Sequence, residues 1–475
     1  MPPEWSSSPP ELLLAVDRTS GRPLREQLEH AVRDAIRTSR LRTGERLPST
    51  RELARALGLS RGLVQECYAQ LLAEGYLVTR PGSATRVAAG AAAPPAALRP
   101  PAATTRLVAD FRWGVPDLAA FPVDDWLWAT REGVRAMPTA QFDYGDPRGS
   151  AALREVLAGY LRRVRAAAAD PEHIVVCNGY AQGLGLALRV LAHGGVRTVA
   201  FEDPGTPDTV SASAAAAGLR AIPVPVDEHG LDVRALAATD ARAVVVTPAH
   251  QWPTGVVLAP ERRLALIAWA RERDAYVVED DYDAEFRYDR EPVGALQGLA
   301  PDRVVSLGTV SKSLVPALRI GWMLCPPELS GPVGTEKNRS DRGTPTLDQF
   351  ALARLIESGR FDRHLRRMRT TYAARRTALL GALAEHAPEL PVTGLAAGFH
   401  AVAHLPDGAD EQHVIDAARA RAVGLYGMSP CLAAHTHTPT PARLVLGFGN
   451  VGERAISSGI AAVADLLTGS RTGRR

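Results

Sequence analysis

The chain has 475 residues, of which 46% are hydrophobic, and its 55 basic and 52 acidic residues leave a net charge of +3. This length predicts two or more globular domains with a sizeable core. No apolar run approaches the ~18 residues that a membrane helix needs, and the N-terminus lacks a signal-peptide pattern. The four cysteines show no paired spacing, which excludes a disulfide framework and a cysteine metal site. We therefore expect a cytoplasmic protein without membrane association.

The N-terminal part of the sequence predicts three helices and a hairpin. Apolar residues recur at helical spacing over 24–38, which predicts the first helix. In LPSTRELARALGLSRGLVQECYAQLLAEGYL, Ser49 opens a capping box, Gly58 ends that helix, and Ser60 caps the next one. Two short β segments that flank 81–83 then predict a hairpin wing. The second and third helices are joined by a tight glycine turn, which makes a helix-turn-helix.

A basic helix-turn-helix is typical of proteins that read DNA, with the second of its helices in the major groove. Residues 1–88 carry the whole charge excess, with 13 arginines against 10 acidic residues, which favours an anionic partner. An ordinary basic helical pair is the alternative. The stretch resembles the winged-helix domain of the GntR regulators. The resemblance implies a DNA-binding domain over 16–88, with contacts from Arg51, Arg61, Ser49, Gly62 and Gln65.

The composition changes sharply over 89–107, where alanine, proline and threonine dominate without apolar periodicity. Such a stretch reads as a semi-extended linker. From 108 to 470, short valine-rich runs alternate with helical segments. This alternation predicts an α/β domain with a parallel sheet and helices on both faces. In such sheets ligands gather at the carboxyl ends of the strands.

Lys312, in SLGTVSKSLVPALRIG, is one of only two lysines in the chain. A primary amine condenses with a carbonyl to form a Schiff base, which a guanidinium cannot do. The hydroxyls of Thr309 and Ser311, with Arg319 further on, are donors suited to a phosphate. Lys312 is therefore a candidate for holding pyridoxal phosphate, and a solvated surface lysine is the alternative.

Two further strand ends carry polar residues suited to the same cofactor. In VVCNGYAQGLGLAL, a glycine turn opens a helix whose amides could cup a phosphate; its residues are Gly179, Tyr180, Ala181 and Gln182, the last through its side chain. In YVVEDDYDAEF, Asp280 is the first carboxylate beyond the strand and needs a cation such as a protonated pyridine nitrogen. Tyr282 could bond the phenolic oxygen of the cofactor.

The segment VVTPAHQWPTG places His250 at a third strand end, where it could reach the cofactor ring. A structural turn is the alternative at this position. The acidic cluster after Asp280 could instead be a solvated loop or a metal site. We predict no metal, because His250 has no ligand spacing to that cluster.

Along the chain come the phosphate turn, HQWPTG, the acid at a strand end, and the SK motif with its trailing arginine. In that order the motifs resemble the fold-type I aminotransferases, and the whole chain resembles the MocR type of regulator. The resemblance implies a PLP-dependent transferase fold with a small C-terminal α+β subdomain. It implies that Lys312 forms the Schiff base, that Asp280 pairs with the pyridine nitrogen, and that Tyr282 binds the ring oxygen. Phosphate contacts would come from Thr309, Ser311, Arg319 and the turn at 179–182.

The resemblance also implies roles for residues far from these motifs. Arg443 would clamp a substrate carboxylate, and Tyr144 would reach the phosphate of the neighbouring subunit in a homodimer. One departure is Thr206, which stands where the family usually has an aromatic residue stacked on the pyridine. Threonine has no ring to stack.

Two functions are compatible with the sequence. The first is a DNA-binding regulator that senses pyridoxal phosphate, or its adduct with a small amino compound, as a homodimer on paired DNA half-sites. The second is a working PLP-dependent aminotransferase with an accessory DNA-binding domain. We favour the regulator, with at most residual transamination. A third alternative, a pure cofactor-storage protein, would leave the winged helix unexplained.

Overall fold

The computed structural model describes residues 16–79, 84–89, 107–283, 285–288, 294–395, 397–433 and 441–469. The chain divides into two compact units after Thr104, and each is considered by itself. The tip of the predicted hairpin at 81–83 and residues 90–106 of the predicted linker lie outside the described residues.

The first unit is a three-helix domain with a two-stranded antiparallel sheet. Its elements are α1 (Leu24–Arg37), α2 (Thr50–Leu57), α3 (Arg61–Ala73), β1 (Leu77–Val78) and β2 (Arg86–Val87). The capping box of Ser49 and Glu52 starts α2, and Gly58 ends it at a φ of 64°. Ser60 caps α3. The helix-turn-helix and the paired strands are as predicted, with ends that differ by one or two residues.

The second unit is a larger α/β domain with a smaller C-terminal part. Its strands are β3 (Ala109–Asp110), β4 (Ile174–Cys177), β5 (Thr198–Asp203), β6 (Arg220–Asp227), β7 (Gly230–Leu231), β8 (Ala243–Val246), β9 (Tyr276–Asp281), β10 (Val304–Thr309), β11 (Gly321–Leu324), β12 (Val392–Thr393), β13 (His400–His404), β14 (Val423–Gly424) and β15 (Arg443–Gly447). Its helices are α4 (Val123–Ala136), α5 (Ala151–Arg165), α6 (Tyr180–His193), α7 (Pro207–Ala216), α8 (Val233–Ala237), α9 (Pro260–Glu272), α10 (Pro327–Asp341), α11 (Thr346–Glu357), α12 (Arg360–His386), α13 (Glu411–Ala420) and α14 (Glu453–Thr468).

The main sheet has the order β4-β11-β10-β9-β8-β5-β6-β7. Strands β4, β10, β9, β8, β5 and β6 run in one direction, whereas β11 and the edge strand β7 are antiparallel to their neighbours. The prediction of a wholly parallel sheet is therefore wrong. Only residues 310–320 separate β10 from β11, too few for the crossover helix that a parallel pair needs.

Helices cover both faces of this sheet. Successive residues of each central strand point to opposite sides, so neighbouring residues of one strand pack into different cores. Val278 packs into one core with α6 and α7 through Leu184 and Val210. Its neighbour Val277 packs into a second core with Leu266 of α9. The parallel strands are therefore apolar on both faces, and their polar residues gather at the carboxyl ends.

The C-terminal part is the predicted small α+β subdomain. An antiparallel sheet of β12, β13 and β15 packs with α12, α13 and α14. Its strand pair places His400 opposite Gly447 and His404 opposite Arg443. All four cysteines are free and buried. Among the residues that the structure describes, no helix is both long and apolar enough to cross a membrane.

Candidate functional site

A cavity of about 330 Å³ opens at the carboxyl ends of the central strands. It brings together eight of the residues predicted to bind cofactor: Tyr180, Ala181, Asp280, Tyr282, Thr309, Ser311, Lys312 and Arg319. The other residues of its lining are Trp113, Gly114, Thr206, Thr209, Trp252, Pro316, Phe399 and His400. The strand ends meet here because β5, β8, β9 and β10 are adjacent and parallel.

Lys312 projects into this cavity from the turn after β10. Its Nζ donates a hydrogen bond to the carbonyl oxygen of Gly114 at 2.5 Å. Burial lowers the pKa of the Lys312 amine, and the nearby Asp280 partly opposes that effect. The amine is therefore more nucleophilic at neutral pH than an exposed lysine.

Asp280 stands on β9, next to the strand that leads to Lys312, and in register with Leu307. Burial raises the pKa of its carboxyl well above the ordinary value, and Asp281 adds to the rise. Within the described part of the chain the Asp280 side chain has no hydrogen-bond partner. A carboxylate in this setting is stabilised by a cation that enters the cavity.

The opposite end of the cavity carries donors suited to an anion. Helix α6 begins at Tyr180, directly after Gly179 at a φ of 84°. Arg319 donates from Nη2 to the carbonyl oxygen of Asn178 at 2.7 Å, so its guanidinium lies beside this helix N-terminus. A side chain at 179 would bring a Cβ within 3.1 Å of the guanidinium. A helix N-terminus with an adjacent arginine is a general anion site.

Two hydroxyls complete the anion end. The Thr309 hydroxyl donates to the Ser311 hydroxyl at 2.9 Å, and the Ser311 amide donates to Thr309 at 3.1 Å. Both side chains are buried against the cavity. Their hydrogens can turn toward a bound anion because a hydroxyl rotates to suit its acceptor.

Gln182 lies outside the cavity lining and braces the turn from behind. Its Oε1 accepts from the Asn178 amide at 2.8 Å, and its Nε2 donates to Asp341 at 2.6 Å. Asp341 also accepts from Asn178 Nδ2 at 3.1 Å and from Lys337 Nζ at 2.6 Å. Lys337, the second lysine of the chain, is 0% exposed. Sequence reasoning missed this brace, for which the spacing of Lys337 and Asp341 on one helix face is the available signal.

His250 lies behind Tyr282 rather than in the cavity wall. Its Nδ1 is 2.7 Å from Asp283 Oδ2 and 3.1 Å from the Tyr282 hydroxyl. The His400 ring packs against it at a centroid distance of 4.7 Å. The spacing of His250 along the sequence does not indicate this contact, which forms because β8 and β9 are neighbours and their following loops meet. His250, Asp283 and His400 hold possible ligand atoms within 4.8 Å of one another.

Arg443 and Tyr144 are not among the cavity-lining residues. Arg443 begins β15, and its guanidinium forms no ion pair with any described residue. Tyr144 is 78% exposed and lines a separate pocket of about 350 Å³ with Asp341 and Arg342. The cavity that contains Lys312 therefore includes neither residue of the same chain in its lining.

The cavity also contains aromatic residues that sequence reasoning missed, above all Trp113 and Trp252. Trp252 belongs to the HQWPTG segment, in which the polar His250 is the predicted cofactor contact. Trp113 precedes the glycine that accepts from Lys312. Local sequence patterns could not show that Trp113 and Trp252 line one cavity, since the two tryptophans come from distant parts of the chain.

The first unit presents its predicted DNA contacts on one helix-turn-helix. Arg51, Arg61, Gly62 and Gln65 are exposed at the starts of α2 and α3. Neither Arg51 nor Arg61 pairs with an acidic residue in the described ranges, whereas Arg33 bonds Glu74 at 2.7 Å. The Ser49 hydroxyl is engaged in capping α2. The two free guanidinium groups are thus available to an anionic partner.

Comparisons with known proteins match each of the two units to a protein family. The family model of the bacterial regulatory proteins, gntR family, matches residues 24–87, and that of the aminotransferases of class I and II matches 110–429. The chain is 32% identical to the probable rhizopine catabolism regulatory protein MocR of Rhizobium meliloti, with 94% of each chain covered. The chain belongs to the MocR type of GntR regulators.

This MocR-type regulator is also 33% identical to the pyridoxine biosynthesis transcriptional regulator PdxR of Corynebacterium glutamicum, over 93% of this chain and 95% of that protein. Its large unit is similar to the kynurenine aminotransferase of Pyrococcus horikoshii, solved in complex with PMP. The TM-score is 0.69 at 27% identity, with 78% of this chain and 93% of that chain covered. The predicted fold-type I architecture is confirmed.

Proposed function

We propose that this MocR-type regulator binds operator DNA through α2 and α3 and holds pyridoxal phosphate on Lys312. The cofactor, or its adduct with a small amino compound, would then change the affinity for DNA. The observation that carries this proposal is one cavity that unites a half-buried lysine amine, a half-buried carboxylate without a hydrogen-bond partner among the described residues, and a helix N-terminus beside a guanidinium. The same chain carries a DNA-binding helix-turn-helix.

The cavity residues fit this cofactor group by group. The Lys312 amine would hold the aldehyde carbon, and the Asp280 carboxylate would accept a hydrogen bond from the pyridine nitrogen and neutralise its charge. Arg319, the two hydroxyls and the α6 amides would donate to the phosphate. When bound, pyridoxal phosphate supplies a carbonyl and an electron-withdrawing ring. The Tyr282 hydroxyl, held by His250, would face the ring oxygen.

A second subunit would complete the site. Tyr144 is exposed and lies outside the cavity of its own chain, which fits a contact with the phosphate in a partner subunit. Arg443, with no ion pair among the described residues, would receive the carboxylate of an amino compound. A homodimer of this kind presents two helix-turn-helix units and therefore fits paired half-sites.

The test is quantitative binding to the DNA directly upstream of the regulator's own gene, at fixed salt, with and without pyridoxal phosphate. Wild type should bind selectively over random DNA, and its affinity should shift on addition of the cofactor. Lys312→Arg is the matched variant, because it keeps the positive charge and cannot form a Schiff base. A shift that persists in Lys312→Arg, or is absent in wild type, would contradict the sensing role.

The DNA contacts are tested in the same assay. Arg51→Ala with Arg61→Ala should remove selective binding, because the two guanidinium groups are the unpaired cations at the helix starts. Arg37→Ala, at the exposed end of α1, is the control and should bind almost as wild type. Unchanged binding by the double variant would contradict the predicted DNA surface.

A further inference from the structure

The wall of the cavity near the Lys312 amine is aromatic. The rings of Trp113 and Trp252 have centroids 4.9 Å apart with an interplanar angle of 55°. The His400 ring lies 4.9 Å from Trp252 at 65°, and Phe399 also lines the cavity. Behind them Trp252 packs with Val402 and Val445 of the small subdomain. The wall is therefore held by strands β13 and β15 and is part of a packed core.

This aromatic wall is next to the reactive end of the cavity. Lys312 Nζ donates to the carbonyl oxygen of Gly114, and Trp113 is the residue directly before that glycine. Lys312, Trp113 and Trp252 line the same cavity, so a ligand whose nitrogen lies close to Lys312 Nζ can place its substituent against the two tryptophans. The substituent meets ring faces and edges there.

The charged side chains of the cavity further restrict which substituent the ligand can carry. The charged side chains among the cavity-lining residues of the described chain are Asp280, Lys312 and Arg319, and the proposed function assigns all three to the cofactor. No further carboxylate in this lining is left for a diamine. The indole and phenyl groups favour an aromatic partner, since offset and edge-to-face ring pairs add to the apolar area that is buried.

Resting on the proposed function, we infer that the effector of this regulator is a small amino compound that carries a flat aromatic group. Trp113 and Trp252 select it. These two residues determine specificity through the ring of the effector, whereas Lys312 and Asp280 serve the cofactor. The preference is for planarity as well as for apolar size.

The test is a titration of the full-length protein, loaded with pyridoxal phosphate, followed by cofactor absorbance. The panel is L-phenylalanine, L-cyclohexylalanine, L-alanine, 4-aminobutyrate and putrescine. L-Phenylalanine should bind about tenfold more tightly than its saturated analogue and than the other three compounds. Equal or tighter binding of any of the four would overturn the inference.

Substitution of the two tryptophans tests whether they cause the preference for an aromatic amino compound. Trp113→Leu and Trp252→Leu should each weaken L-phenylalanine binding about tenfold and change L-alanine binding less than about twofold. Trp113 is partly exposed, so its variant remains informative if replacement of the more buried Trp252 impairs folding. An equal loss for both amino acids in Trp113→Leu would overturn the inference.

One measurement distinguishes failure of the proposed function from failure of the aromatic preference alone. Borohydride reduction followed by peptide mapping should find the cofactor on Lys312. Absence of that adduct would overturn the proposed function together with this inference. A normal adduct without the aromatic preference would overturn the inference alone.

Discussion

Glu202 is a buried acid close to the cavity, at the carboxyl end of β5, and is 6% exposed. Its Oε2 accepts from the Thr247 amide at 2.9 Å, from the Thr247 hydroxyl at 2.6 Å and from Gln251 Nε2 at 3.3 Å. Burial nevertheless raises the pKa of Glu202 to about 7, against an ordinary 4.5. The loss of hydration therefore outweighs three hydrogen bonds to the carboxylate.

This raised pKa predicts a stability that falls with pH. Between pH 4.5 and 7 the folded protein binds more protons at Glu202 than the unfolded chain does, so its contribution is complete below 4.5 and is lost as the pH rises through 7. The contribution is roughly 3 kcal/mol for a shift of this size. Glu202→Gln should therefore gain stability relative to wild type by roughly that amount between pH 4.5 and 8.

Urea unfolding of both proteins at a series of pH values measures the difference. Thr254→Val is a useful control, because its hydroxyl bonds the neighbouring Gln251 Oε1 at 2.6 Å and carries no titratable group. Its stability relative to wild type should stay constant over the same range. A difference between Glu202→Gln and wild type that does not change with pH would contradict the prediction.

Among single residues, the sequence predicts those whose chemistry is distinctive in itself. Lys312 stands out as a rare amine, and Asp280 as a carboxylate at the end of an apolar strand. The contact of His250 with Asp283 and the pair of Trp113 and Trp252 could not be predicted, because each joins side chains from separate elements. Such contacts depend on strand order, which no local pattern encodes.

Helix α10 braces the turn at the start of α6. Asp341, at its last turn, accepts from both Asn178 and Gln182, and Lys337 one turn earlier neutralises it. An ion pair from Arg189 of α6 to Glu336 of α10 at 2.7 Å joins the two helices away from that turn. The hydrogen bonds of Asp341 therefore hold the turn at the anion end, whereas the pair of Arg189 and Glu336 only joins the helices.

We expect Asp341→Asn to weaken binding of pyridoxal phosphate about tenfold and binding of pyridoxal, which lacks the phosphate, far less. The reason is that the variant loosens the turn whose amides face the phosphate. Glu336→Gln is the matched control on the same helix and should leave the ratio of the two affinities unchanged. Equal losses for both compounds in Asp341→Asn would indicate a general loss of stability.

Elements with a strong periodic pattern could be predicted from the sequence, and their directions could not. The run at β11 is as apolar as the parallel strands, yet it is antiparallel because 310–320 forms a tight return that carries Lys312 and Arg319. The capped helices α2 and α3 are the opposite case. Ser49, Gly58 and Ser60 each determine a local geometry, so those helix ends were predictable.

The regulator as a whole combines a DNA-binding unit with a cofactor unit, and the proposed dimer carries two of each. We expect light scattering to give twice the mass of the chain. An operator with both half-sites should bind at least about a hundredfold more tightly than one with a scrambled half-site, since the second contact becomes intramolecular. The isolated region 16–88, as the control, should show little difference between the two DNAs.

A monomeric mass, or equal affinity for both operators, would contradict paired recognition. Tyr144→Ala separates dimerisation from cofactor contact. The substitution should weaken pyridoxal phosphate binding while the dimer persists, because one exposed side chain contributes little of a subunit interface.

The burial of Lys337 and the enclosure of Lys312 leave this protein without a freely accessible lysine, since it contains only these two. Its positive surface charge is carried by arginine side chains, which neither acylate nor form imines under mild conditions. Apart from the terminal α-amine, amine-directed labels should therefore react slowly and chiefly at Lys312, and occupancy of the cavity should block that reaction. The part of a reversible carbonyl label that cavity occupancy removes from the folded chain would thus report on the site itself.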